Sequence, residues 1–192
     1  MKNKTRKSFI ITILFLLLVL PPIVYFYVTR GFNNFINLEI IGEENHKISN
    51  FQFINQDSII VDNSTMKGNI YVASFFFTSC PTICPIMTKN LVELQDTFKG
   101  DEDFGVASFT INPRYDTPSV LTAYAEKYGI TDEDWHLMTG DQEKIYDLAR
   151  QGFYIFANED QDAPGGFEHS GMFALVDKNG YIRSREDEFG NP

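Results

Sequence analysis

The stretch NIYVASFFFTSCPTICPIM, residues 69–87, decides how the chain folds. NIYVASFFF is a nearly continuous apolar run rich in aromatic and β-branched residues, which predicts a strand buried on both faces. Directly after it come Cys80 and Cys84, the two cysteines of the chain. Beyond them Met87, Leu91, Leu94 and Phe98 recur at helical spacing, the apolar stripe of a helix ending near Gly100. The local order is strand, cysteine turn, helix.

Further along, FGVASFTIN (104–112) predicts a second buried strand and DTPSVLTAYAEKYG (116–129) a second helix, with Thr117 as cap, Pro118 in the first turn and Gly129 as stop. WHLMTG reads as a short strand or turn, and DQEKIYDLARQG (141–152) as a third helix between Asp141 and Gly152. FQFINQDSIIVDN (51–63) predicts a hairpin. So does MFALVDKNGYIRSR, which follows the loop NEDQDAPGGFEHS. Strands and helices in this order predict an α/β sandwich with a mixed sheet.

Upstream, Lys2, Lys4, Arg6 and Lys7 precede FIITILFLLLVLPPIVYFYV, residues 9–28, an uncharged run of the length that crosses a bilayer. No small-x-small cleavage site follows it, so an uncleaved anchor is expected. The basic cluster places the N-terminus in the cytoplasm and everything after Arg30 on the periplasmic or extracytoplasmic side. The expected organisation is residues 1–30 as basic stub and transmembrane anchor, 31–47 as tether with His46 solvated, and 48–192 as the domain. Beyond residue 30 there are 11 basic and 26 acidic residues, a net charge of −15, which argues against nucleic acid as a partner.

Two cysteines in an exported chain ordinarily form a structural disulfide. Here the closed loop would span five residues and remove only roughly 2 kcal/mol of unfolded-state entropy, against about 4.7 for a 100-residue loop. A helix N-terminus, in contrast, stabilises thiolate over thiol, the form that attacks disulfides and binds metals. Residues i and i+4 have Cβ atoms about 5–6 Å apart. That spacing allows two sulfurs to share a soft metal, and with modest adjustment it allows a disulfide. A further ligand would come from His, Met, Asp or Glu. His136, in the WHLMTG strand, suits a hydrogen-bonded structural role, and Met87 suits the core. His169 closes a Gly-rich acidic loop just before a strand, where α/β domains place functional groups; its neighbour Glu168 could bind metal or orient the ring.

FTSCPTICP, with its three-residue spacer, and EHSGMFALVDKNG, with its histidine ahead of a strand, resemble the Sco/SenC copper chaperones; NPRYDTP and WHLMTGD support the match, which spans nearly all of residues 51–185. The resemblance implies a thioredoxin-like three-layer sandwich in which Cys80, Cys84 and His169 bind one copper ion, as Cu(I) and also Cu(II). It implies a metallochaperone, not an enzyme, that delivers copper to, or reduces the thiols of, the binuclear copper site of cytochrome c oxidase subunit II or a related copper protein. Asp116 falls at a family-like position with an expected partner-facing or loop-fixing role, besides that of a helix-start cap. Asn112 stands where relatives commonly have aspartate. The family pattern continues into a C-terminal helix where this chain has REDEFGNP, so that helix is expected to be missing and part of the sheet exposed. The alternative function is an extracytoplasmic thiol–disulfide oxidoreductase or thiol peroxidase, with Cys80 and Cys84 as its redox-active pair.

Overall fold

The computed structural model describes residues 7, 13–25, 38–42 and 46–184. The chain divides into two units, Met1–Asn37 and Leu38–Pro192. In the first, residues 13–25 form helix α1, whose apolar side chains are largely exposed: Leu17 and Leu18 at 67% and 68%. Among the described residues no helix is long and apolar enough to cross a membrane. The single-pass span expected over 9–28 is thus not seen as a complete element, and its remaining residues lie outside the described ones.

The second unit is built on an eight-stranded sheet. Its strands are β1 (Glu39–Ile40), β2 (Gln52–Asn55), β3 (Ile60–Asp62), β4 (Ile70–Phe76), β5 (Phe104–Thr110), β6 (Trp135–Thr139), β9 (Phe173–Val176) and β10 (Ile182–Ser184), in the order β1-β10-β9-β4-β5-β6-β2-β3. β4, β5 and β6 are parallel and every other pairing is antiparallel, so the sheet is mixed. The short helix α2 (Asn63–Met66) follows β3. Helices α3 (Cys84–Thr97), α4 (Pro118–Tyr128) and α5 (Gln142–Asp147) follow β4, β5 and β6 in turn.

Six consecutive residues of both β4 and β5 are buried, as their sequences require, because both faces of the sheet are covered. Alternation of side chains along β4 shows what covers them. Phe76 meets Tyr124 of α4, with ring centroids 5.3 Å apart. Phe75 points the other way, to Phe109 at 5.2 Å and Phe153 at 5.6 Å. The α/β sandwich therefore has helices on either side of its central strands. Phe51 and Phe53 complete the second face around Phe109.

Helix limits follow the expected punctuation with two differences. Thr117 stands at the N-cap of α4 but makes no side-chain cap bond, its hydroxyl pairing with Ser119 at 3.0 Å instead. Asp141 caps α5 through the Lys144 N–H at 3.0 Å, yet the α-helix stops at Asp147 and Leu148–Gly152 continue as a π-helix. Two segments read as loop or tether also prove ordered. Ala157–Glu159 (β7) and Phe167–His169 (β8) form a small antiparallel hairpin inside the predicted loop. Within the predicted tether, β1 pairs with β10 along the sheet edge. His46, expected to be solvated, bonds the Gly152 carbonyl through Nε2 at 2.9 Å and lies against the Tyr154 ring at 4.5 Å. Such contacts are long-range and leave no local pattern. The other tether residues, 31–37 and 43–45, and the C-terminal 185–192 lie outside the described residues.

Phe109 is fully buried at the centre of four other phenylalanine rings. Phe109→Ala should cost about 3–5 kcal/mol of stability. Tyr115→Ala, at a residue 59% exposed, should stay within about 0.5 kcal/mol; urea denaturation of the two variants measures the difference.

Candidate metal centre

Strand β4 ends at Phe76, and a tight turn closed by the Cys80 N–H on the Phe77 carbonyl, 3.2 Å away, leads into the cysteines. Helix α3 then begins at Cys84. Its N-cap, Ile83, has no side-chain oxygen to offer, and Pro85 in the first turn has no N–H. The backbone N–H groups of Cys84 and Thr82 face the Cys80 sulfur closely enough to lower its pKa, and the Thr82 hydroxyl stands 3.7 Å from the same atom. Cys80 and Cys84 form no disulfide and are buried, at 7% and 0% exposure.

These surroundings make the two thiols unequal. Burial, the largest single influence, pushes Cys80 up, but the backbone N–H groups of Cys84 and Thr82 and the side chains of Cys84 and Thr82 together bring its pKa below the usual thiol range. Burial pushes Cys84 up far more. The Phe77 backbone lowers it by less than burial raises it, and the neighbouring Cys80, through its hydrogen bond and charge, adds to the rise. The same turn thus moves the two thiols in opposite directions, Cys80 down and Cys84 up.

The loop that precedes β9 packs directly on this turn. The Phe167 ring of β8 lies 5.1 Å from that of Phe77. Gly165 has a φ of +84°, and a Cβ there would stand 2.8 Å from Phe77 Cε2 and 3.3 Å from Pro81 Cδ. At Gly171 a Cβ would stand 3.2 Å from Ile83 Cγ1 and 3.9 Å from Met87 Sδ. Both glycines thus permit close approach to the cysteine segment. The His169 backbone lies along the chain between these two contacts, paired with Ala157 at the end of β8.

Residues 41–191 match the family model SCO1/SenC. The chain belongs to this family. Among solved structures, a SCO1/SenC family lipoprotein from Bacillus anthracis is 33% identical, with 73% of this chain and 83% of that one covered and a TM-score of 0.67. BsSco, a member of the Sco family of cytochrome c oxidase assembly proteins in which a disulfide switch was identified, is 30% identical, with 76% and 86% covered and a TM-score of 0.64. ScoI of Bradyrhizobium japonicum with copper bound is 22% identical, with 71% and 86% covered and a TM-score of 0.62; it shares the fold.

In this SCO1/SenC domain the other sequence candidates separate cleanly. His136 sits in β6 opposite Ala107, with Nδ1 3.4 Å from the Asn55 amide; burial, the largest influence, lowers its pKa, and it takes a structural place away from the cysteine turn. Met87 is core, at 4% exposure. Glu168 is exposed on β8. The His169 side chain lies outside the described residues, and among the described ones no group of three or more His, Cys, Asp or Glu side chains comes together. Asp116 is no helix cap, since Thr117 holds that position. It is fully buried and bonds Thr78 and Thr110, two residues that no local pattern singles out.

Because the folded value of Cys80 is lowered, its contribution to stability is present above the unfolded thiol's pKa and lost as pH falls through the folded value. For Cys84, raised on folding, the contribution is full below the unfolded value and lost as pH rises through the folded one. In the reduced protein, iodoacetamide should modify Cys80 with a midpoint below that of a free thiol and spare Cys84 until well above it. Residue-resolved mass spectrometry across pH measures both, and one shared midpoint would contradict the assignment.

Proposed function

We propose that this chain is a copper carrier of cytochrome c oxidase assembly, in which Cys80, Cys84 and His169 hold one copper ion as cargo for the binuclear copper site of subunit II. The observation that supports this reading is the packing of Gly165, Phe167 and Gly171, which flank His169 in the chain, against the cysteine turn. The chemistry supports it. Two sulfurs and an imidazole form a soft donor set suited to Cu(I), and the imidazole also accommodates Cu(II). The lowered pKa of Cys80 favours the deprotonated form that a metal ligand must take. Ligation needs both sulfurs deprotonated, and Cys84, whose pKa is raised, holds its proton more firmly, so loading releases protons to solvent. Membership of a family with relatives in oxidase assembly supports the choice of client.

Purified reduced protein should bind one copper per chain. His169→Ala should weaken binding by more than the roughly 10–100-fold lost with an outer-shell partner. Cys80→Ser and Cys84→Ser should abolish tight Cu(I) binding, measured by competition with a chromogenic Cu(I) chelator. Wild-type affinity in His169→Ala would remove the histidine from the site.

Thiol–disulfide exchange is a second reading, favoured by the unequal thiols: Cys80 attacks and Cys84 resolves. In that case His169→Ala leaves disulfide reduction intact.

The apolar run over 9–28 and the basic residues before it support anchoring in the cell membrane with an extracytoplasmic domain. A lipoprotein among the relatives shows a second way for such a domain to be held at a membrane. In intact spheroplasts of an expressing host, external protease should degrade the domain while carbonate-washed membranes retain residues 1–30; protection of the domain would reverse the topology.

A further inference from the structure

Asp116 is fully buried. Its carboxylate accepts the backbone N–H of Thr78 at 3.1 Å, the Thr78 hydroxyl and the Thr110 hydroxyl. Those donors fill three of the roughly four lone-pair positions a carboxylate offers. All are neutral, and among the described residues no Lys, Arg or His pairs with it. Burying a carboxylate among neutral donors is far costlier than burying an amide or hydroxyl. Filling a gap in the core would not require it.

Where the carboxylate sits shows what it does. The β4–β5 ladder runs to Phe76 opposite Thr110 and ends with the Ile111 N–H on the Phe76 carbonyl at 2.8 Å. Beyond that bond the strands part, one towards the cysteines and the other towards α4. Asp116 bridges them at the point of parting. On one side Thr110, which also accepts the Asn112 N–H at 3.1 Å, anchors the carboxylate to the end of β5. On the other the carboxylate holds Thr78 at two points, backbone and hydroxyl. Thr78 is the second residue of the turn closed between Phe77 and Cys80, so its backbone direction sets where Cys80 emerges.

We propose that Asp116 is the positioning residue of the dithiol: from inside the core it fixes the turn over residues 77–80 and so holds Cys80 beside the first turn of α3. This rests on the reading of Cys80 and Cys84 as the functional centre, whatever their cargo. Without the hold, the reduced pair loses the placement that keeps the Cys80 sulfur among its donors, and the disulfide gains by comparison.

The test equilibrates the full metal-free chain with reduced and oxidised glutathione. Two thiols pass two electrons and two protons to one glutathione disulfide, leaving the Cys80–Cys84 disulfide and two glutathione molecules. Asp116→Ala and Thr78→Val should move the equilibrium about tenfold or more towards the protein disulfide, whereas Thr78→Ser, which keeps the hydroxyl, should stay within about twofold of wild type. Should Asp116→Ala fail to fold, the Thr78 pair decides. Variants that melt earlier but keep the wild-type equilibrium would make Asp116 merely structural and overturn the proposal, as would a Thr78→Ser shift as large as that of Thr78→Val. Since no copper enters the measurement, failure here and failure of wild type to bind copper are separate results.

Discussion

An uncapped helix meets a sulfur at the centre of this protein. Every α-helix begins with N–H groups that have no partner within it, and most helices offer them a Ser, Thr, Asp or Asn oxygen. Helix α3 has isoleucine at that position and proline just inside. The Cys84 N–H faces the sulfur of Cys80 instead, helped by Thr82 from the turn. The same burial that would suppress a lone thiolate is thereby outweighed at Cys80, while at Cys84, with no exposed surface, it dominates. One helix end thus produces two chemically different thiols four residues apart.

That arrangement depends on a support that does not yield. β4 enters the turn from the middle of the sheet, flanked by β5 and β9 and packed on both faces by aromatic rings. The serines facing each other across β4 and β5 add polar cross-links in the core: the Ser74 and Ser108 hydroxyls lie 2.9 Å apart, and Ser108 also accepts the Trp135 indole N–H at 3.1 Å. Asp116 extends the same cross-bracing past the end of the ladder. The dithiol therefore follows directly from a strand paired on both edges and packed on both faces.

The opposing wall is built differently. Residues 165–171 come from a short hairpin with glycines where it touches Phe77, Pro81 and Ile83. A large apolar contact with the turn is Phe167 on Phe77. A side chain at Gly165 would crowd Phe77 and Pro81, and one at Gly171 would crowd Ile83.

Much of this was legible in the residues alone, because it is local. The buried strand before the cysteines, the helix stripe after them, the helix with Pro118 and Gly129 at its ends and the two outer hairpins each follow from periodicity and turn chemistry within a dozen residues. The three-residue spacer and the loop histidine likewise identified the family before any coordinates did. Tertiary structure decided the rest: which cysteine is lowered and which raised in pKa, that residues 165–171 lie on the turn, that His46 and β1 belong to the domain, and that Asp116 faces Thr78 instead of capping α4. Each of these pairs groups far apart in the chain, or weighs burial against hydrogen bonds at one atom. Burial and long-range pairing exist only once the sheet has closed, so no spacing or composition rule records them.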